Sequence, residues 1–142
     1  MDFFGLPIHP LVVHGAVVLI PLATVGALAV VGSAWVRQRY GWLTVLFAVA
    51  GAGSALAARL SGPILAETRG GGPAFATHMM WGSLAPFPAV ALALFLPAAL
   101  LVEQRSRAAL WVMVALTGIS AVAALVLVVL TGHSGATAVW GS

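Results

Sequence analysis

The sequence predicts an all-α membrane protein, an up-down-up-down bundle of four transmembrane helices. Hydrophobic residues make up 62% of its 142 residues and charged residues only 6%, which is too few to cover a water-facing surface. Long apolar stretches alternate with short segments that hold arginine, glycine and proline. A helical crossing needs about 20 apolar residues, so the chain has room for about four. We therefore expect a single domain, residues 1–142, solvated by the lipid bilayer.

The first crossing is predicted to run from Ile8 to about Trp35. Pro10 suits the first turn of a helix, because its missing N–H would have no partner there. A basic turn over residues 37–40 separates this crossing from the second, residues 42–60, which is rich in glycine, alanine and serine. Small residues let helices approach closely in lipid, so we expect the second helix to lie at an interior contact.

The longest predicted connection, residues 61–72, precedes the third crossing, and its glycines and proline lead us to expect a flexible lid. The third crossing, residues 73–102, contains three internal prolines. A membrane helix tolerates these where neighbouring groups satisfy the freed carbonyls. A second basic turn, residues 103–107, leads to the fourth crossing, residues 108–130, and then to the polar segment 131–135.

The arginines predict how the bundle is oriented. Four of the six lie in the two basic turns, Arg37, Arg39, Arg105 and Arg107, and the other two, Arg59 and Arg69, lie on the opposite side. The positive-inside rule places the basic turns in the cytoplasm and both termini outside it. With so few charges, the positive balance indicates membrane orientation, and we expect no nucleic-acid partner.

In this topology all four histidines lie near one membrane face. His9 and His14 begin the first crossing, His78 begins the third and His133 follows the fourth. His14 and His78 each lie about one helical turn inside a helix-starting proline, so their depths should match. The first and third helices of such a bundle should lie diagonally across its core, which places His14 and His78 on opposite sides of a ligand.

This arrangement favours a b-type cytochrome, in which imidazoles from two helices ligate one haem iron inside the bundle. His14 and His78 are the predicted iron ligands. His9 and His133, which are shallower, are predicted to contact the haem propionates, a quinol or a partner protein. The chain has no cysteine, which excludes thiolate ligands and covalent haem attachment but leaves haem b open.

Two other functions remain open at this point. The first is a copper or zinc site made by the same imidazoles, with His14 and His78 among the ligands and with Met79 and Met80 as weak support for copper. The second is a structural or assembly subunit whose histidines only cap helix ends or bind interfacial water. Whether the protein is an enzyme, and whether it forms a homo-oligomer, are also open.

Several segments resemble the small bacterial membrane proteins grouped as domain of unknown function 2231. They are the opening residues 6–14, the segment 58–62, His78 with Gly82, and the closing residues 132–141. The resemblance spans nearly the whole chain, and its most specific part is His9-Pro10-x-x-x-His14. It implies a bacterial cytoplasmic membrane. Because such domains are sometimes joined to Rieske-type or cytochrome c modules, it also implies an electron-transfer setting with such a redox partner.

Overall fold

The computed structural model describes residues 2–3, 6–68 and 73–140. Two short strands, β1 (Asp2–Phe3) and β2 (Leu6–Pro7), pair antiparallel ahead of the helices. The helices of the described residues are α1 (Ile8–Gly32), α2 (Ala34–Thr68), α3 (Pro73–Leu84), α4 (Pro86–Val102) and α5 (Arg107–Trp140).

Four segments of the described chain are long and apolar enough to cross a membrane: α1, α2, α3 together with α4, and α5. The predicted all-α four-helix membrane bundle is therefore confirmed. α1 packs against α2 and α5, and the α3–α4 segment packs against the same two helices. α1 and the α3–α4 segment thus lie diagonally across the bundle, as the up-down-up-down topology predicts.

The centre of the bundle is built from small residues around a few large ones. Leu92 and Leu96 of α4 are almost completely buried among fully buried alanines of α1 and α5. Thr24 Oγ1 donates to the carbonyl of Ala121 at 3.1 Å and so joins α1 to α5 in the interior. A Cβ atom on Gly51 would lie 3.0 Å from Ile20 Cγ1, which confirms the expected close contact of the second crossing.

The first predicted basic turn is wrong in its form, because residues 37–40 lie inside α2 and only Ser33 separates α1 from α2. Two side chains explain how so short a reversal is tolerated. The Ser33 hydroxyl accepts a hydrogen bond from Val36 N at 3.4 Å, and Arg37 Nη1 donates to Val30 O at 2.9 Å. These bonds satisfy backbone groups that the helix ends leave free.

The predicted connection over residues 61–72 is also wrong in its first part, because α2 continues as a helix to Thr68. Residues 69–72 of the expected lid lie outside the described residues. Pro63 sits inside the helix, although its ring removes the bond to the carbonyl of Arg59. Ser61 supports this turn, since its hydroxyl donates to Ala57 O at 2.8 Å.

The third crossing is interrupted where one helix was expected. α3 ends at Leu84, Ala85 forms a turn, and α4 starts at Pro86. Pro86 and Pro88 both lack an N–H, so the carbonyls of Gly82 and Leu84 lose their helical partners, which accounts for the break.

The fourth crossing is longer than expected, because the polar segment 131–135 continues α5 to Trp140. Hydroxyl groups bond carbonyls of the preceding turn throughout this extension. Thr131 Oγ1 donates to Leu127 O at 2.7 Å, and Thr137 Oγ1 donates to His133 O at 2.9 Å. These bonds give the hydroxyl groups partners inside the helix.

Candidate functional site

An apolar cavity of about 450 Å³ lies at one end of the bundle, where the start of α1, the end of α2, the start of α3 and the end of α5 meet. We call this the histidine end, because His9 and His78 line the cavity. Its walls come from those four helices and Ala85. The volume falls within the range of about 300–1,000 Å³ that is typical of small-molecule and cofactor sites. The polar side chains on its wall include His9, His78 and Arg59.

His9 enters the cavity from α1 and is held by α2. Its Nδ1 lies 3.0 Å from Ser61 Oγ, and the Ala58 carbonyl lies beside the same ring. The Ser61 hydroxyl already donates its hydrogen to Ala57 O, so its oxygen is left to accept from the imidazole. Gly62 makes room for the ring, because a Cβ atom there would lie 3.3 Å from His9 Cε1.

His78 enters the cavity from α3 and is held by α5. Its Nδ1 lies 2.9 Å from the carbonyl oxygen of Thr131. A carbonyl can only accept, so Nδ1 carries the hydrogen. The ring lies directly on α5 at Gly135, where a Cβ atom would come within 2.9 Å of Nδ1. Only glycine leaves enough space for the ring at this point.

These partners determine what each imidazole can offer to a ligand. When Nδ1 donates to a protein oxygen, the neutral ring keeps its lone pair on Nε2. Metal-ligating histidines commonly show this pattern, since the second-shell hydrogen bond fixes the tautomer and the ring orientation. His78 therefore has the tautomer that a metal ligand or a hydrogen-bond acceptor requires, and His9 has it when its Nδ1 donates to Ser61 Oγ.

The structure does not bring the other two histidines into this cavity. The side chain of His14 is exposed, and its Nδ1 donates to Pro10 O of its own helix at 2.6 Å. His133 is also exposed, on α5, and is not on the cavity wall. All four histidines lie in the histidine half of the bundle, but the sequence predicted His14 opposite His78, whereas the cavity contains His9 with His78.

Helical geometry explains the exchange of His14 for His9. Successive residues of an α-helix are about 100° apart, so His14 points about 140° away from His9. The cavity-lining residues of α1 follow the helical repeat from His9, namely Pro10, Val13, Ala16 and Val17. The sequence-based pairing of His14 with His78 used only the depth of each residue along its helix. It did not consider the face of the helix on which each side chain lies.

The four histidines do not come together as a single metal centre. Within the described residues, no group of three or more histidine, aspartate or glutamate side chains is close enough to hold a metal ion. The expected copper or zinc site with four imidazoles is therefore not formed. One further ligand type is present, because Met79 lines the cavity next to His78.

Sequence reasoning missed the side chains that support the two rings. Ser61 is 52 positions from His9 and Thr131 is 53 positions from His78, so no local pattern links either pair. Arg59 did carry a signal, because a charge near the end of an apolar crossing is a functional candidate by default.

Comparison with known proteins supplies a family and nothing more specific. A family model described as "Predicted membrane protein (DUF2231)" matches residues 5–142. No curated protein and no solved structure matches the sequence. The resemblance expected from the histidine motif is thereby confirmed over nearly the whole chain.

Proposed function

The chain belongs to the DUF2231 family of predicted membrane proteins, and on that premise we propose that it is a haem b-binding electron-transfer protein with His9 and His78 as the iron ligands. One observation carries the proposal: two imidazoles from diagonal helices line the same apolar cavity, and each has its Nδ1 committed to a protein oxygen. Bis-imidazole ligation of haem b uses Nε2 lone pairs from separate helices of a bundle.

The cavity suits a haem in other ways. Its walls are mostly alanine, valine, glycine and proline, so a flat apolar macrocycle meets little polar surface. Arg59 adds a cation for the acidic edge of the ligand. A bound haem supplies one-electron redox chemistry, whereas the chain itself supplies the ligands, their orientation and an environment of low polarity.

The proposal includes a location and a partner. Arg37, Arg39, Arg105 and Arg107 lie at the end opposite the cavity, so the positive-inside rule directs the cavity to the outer side of a bacterial cytoplasmic membrane. A quinol, a Rieske-type protein or a cytochrome c protein could exchange electrons with a haem at that depth. Because the chain has no cysteine, single cysteines at the exposed positions Ala136 and Gln104 test the orientation. Only Ala136→Cys should react with an impermeant thiol reagent in intact cells, and reaction of Gln104→Cys alone would invert the proposed orientation.

An absorption spectrum of the protein purified in detergent, oxidised and reduced, with metal analysis of the same sample, tests the function. We expect a Soret band and sharp reduced bands, either as purified or after haem addition. His9→Ala and His78→Ala should each abolish the low-spin spectrum. His133→Ala is the matched control, since this exposed imidazole is not on the cavity wall, and it should keep the spectrum. A wild-type protein that takes up no haem would refute the proposal.

A copper site is the second candidate, because Met79 lines the same cavity as the two imidazoles. Imidazole together with thioether is a ligand set that suits copper(I). Copper without haem in the metal analysis, lost in both His78→Ala and Met79→Leu, would select this candidate. Absence of both haem and copper, before and after their addition, would favour a structural or assembly subunit.

A further inference from the structure

Arg59 lies about one membrane thickness along α2 from Arg39. It follows Arg39 by 20 positions on the same helix, a distance of about 30 Å at about 1.5 Å per residue. The hydrocarbon core of a bilayer is also about 30 Å thick. If Arg39 is at one interface, this spacing places Arg59 near the other, and Arg59 forms part of the cavity wall.

The guanidinium of Arg59 has no acidic partner among the described residues. Their one salt bridge joins Arg37 to Glu103. Glu67 is eight residues further along α2, about 12 Å away along the helix axis. The contact found for Arg59 is instead the ring of Phe87, with the guanidinium carbon 4.9 Å from its centroid. Such stacking orients the plane of the guanidinium but leaves its N–H donors available.

We propose that Arg59 binds a propionate carboxylate of the haem that occupies the cavity. This inference rests on the proposed haem-binding function. A haem is an amphiphile with its carboxylates at one edge, and the cavity offers both properties, with mostly apolar walls and the cation of Arg59 among its lining residues. The planar fork of an arginine suits a carboxylate better than the point charge of a lysine does.

Four ligands separate the role of Arg59 from that of the histidines: haem b, its dimethyl ester, metal-free protoporphyrin and the dimethyl ester of that porphyrin. The esters lack the carboxylates, and the metal-free porphyrins need no iron ligand. Titration of the detergent-purified protein, followed by absorption or fluorescence, gives each affinity. We expect Arg59→Gln to weaken binding of both acids about tenfold and of both esters by less than twofold. Arg59→Lys should recover part of the loss.

Two controls exclude a general effect of the substitution. Arg105→Gln removes an exposed arginine at the opposite end of the bundle and should leave all four affinities unchanged. Arg59→Gln should elute and melt as the wild type does, because its side chain is exposed and its loss opens no interior space.

The outcomes distinguish the two proposals. Equal loss of acid and ester binding in Arg59→Gln, or no loss, would overturn the role of Arg59 while leaving haem binding intact. Carboxylate-dependent porphyrin binding that requires Arg59, together with a haem spectrum unchanged by His9→Ala and His78→Ala, would support Arg59 and refute the ligand assignment. A wild-type protein that binds none of the four ligands would overturn both.

Discussion

The two ends of the bundle differ in how their polar side chains are partnered. At the basic end, which contains Arg37, Arg39, Arg105 and Arg107, Arg37 Nε donates to Glu103 Oε1 at 2.9 Å. Only 10% of the arginine side chain and 17% of the glutamate side chain are exposed. At the histidine end the polar side chains make fewer hydrogen bonds than they have donors and acceptors for. His9 and His78 each use one ring nitrogen, and the Arg59 guanidinium has a ring beneath it instead of a carboxylate.

Tight glycine contacts occur at both ends of the bundle, and the larger cavity lies at the histidine end. Near the basic end, a Cβ atom on Gly41 would lie 2.7 Å from Leu100 Cδ2, and one on Gly26 would lie 2.8 Å from Thr44 Cγ2. Near the histidine end, a Cβ atom on Gly132 would meet nothing within 4 Å. A Cβ atom on Gly135 at the histidine end would still come within 2.9 Å of His78, and the basic end has a smaller cavity of about 260 Å³. The ends therefore differ in cavity size and in how their polar groups are partnered, and under the proposed function the histidine end binds the ligand while the ion pair of the basic end contributes stability.

The largest expected effect is on stability, from Glu103→Gln at the basic end. Removing one partner of a mostly buried pair leaves the other charge without compensation, which costs about 3 kcal/mol. We expect the free energy of unfolding in detergent to fall by about that amount, while haem affinity at the other end stays the same. Arg105→Gln, at an exposed position, is the control. Unchanged stability, or a parallel loss of haem affinity, would break the division between the two ends.

The next effect concerns the contact between His78 and α5. In Gly135→Ala the added methyl group would lie 2.9 Å from His78 Nδ1, so the ring must move. Overpacking of this kind costs about 2 kcal/mol, and we expect haem affinity to fall about 30-fold with a shifted Soret band. Gly118→Ala is the matched control on the same helix, because nothing lies within 4 Å of that position. Equal haem affinities for the two variants would show that the position of the His78 ring does not affect haem binding.

A smaller effect is expected at the hydrogen bond that orients His9. Ser61→Ala removes the acceptor of the Nδ1 hydrogen, and loss of a second-shell partner typically costs at least about tenfold in affinity. We expect a loss of about tenfold, because the Ala58 carbonyl beside the ring can take over part of the role. Ser83→Ala is the control, since that hydroxyl on the cavity wall bonds only Met80 O of its own helix. A similar loss of haem affinity in both variants would mean that any change in the cavity wall weakens binding, and that the orientation of His9 is not the cause.

The sequence predicted the architecture well because the bilayer restricts it so strongly. Apolar stretches of sufficient length must be helices, and short connections make neighbouring helices antiparallel. The helix ends were less predictable. Gly62 and Pro63 are typical of a turn in water, yet α2 passes through both and ends at Thr68. The hydroxyl groups of Ser61 and Thr131 bond carbonyls of the preceding turn, so these polar residues have partners within helices that run beyond the apolar stretches.

The site was predictable only to the level of the membrane face. Topology alone brings the four histidines to the same half of the bundle. Which two share a cavity depends on helix rotation, which the packing of α1 on α2 and α5 determines. The apolar stripe of α1 that includes His9 and Val13 could have identified the histidine that lines the cavity, because it continues at the helical repeat through Ala16 and Val17.

The smallest expected effect is that of His14→Ala, which distinguishes the ligand pair predicted from the sequence, His14 with His78, from the pair that lines the cavity, His9 with His78. His14 is exposed, and its Nδ1 bonds the Pro10 carbonyl of its own helix, so its removal opens no interior space and frees no ligand position. We expect His14→Ala to change haem affinity by less than twofold and to leave the low-spin spectrum intact. His9→Ala, five residues away on the other side of the same helix, is the matched comparison and should abolish the spectrum. The opposite result, with loss in His14→Ala and retention in His9→Ala, would mean that α1 is rotated in the haem-bound protein and would restore His14 with His78 as the ligand pair.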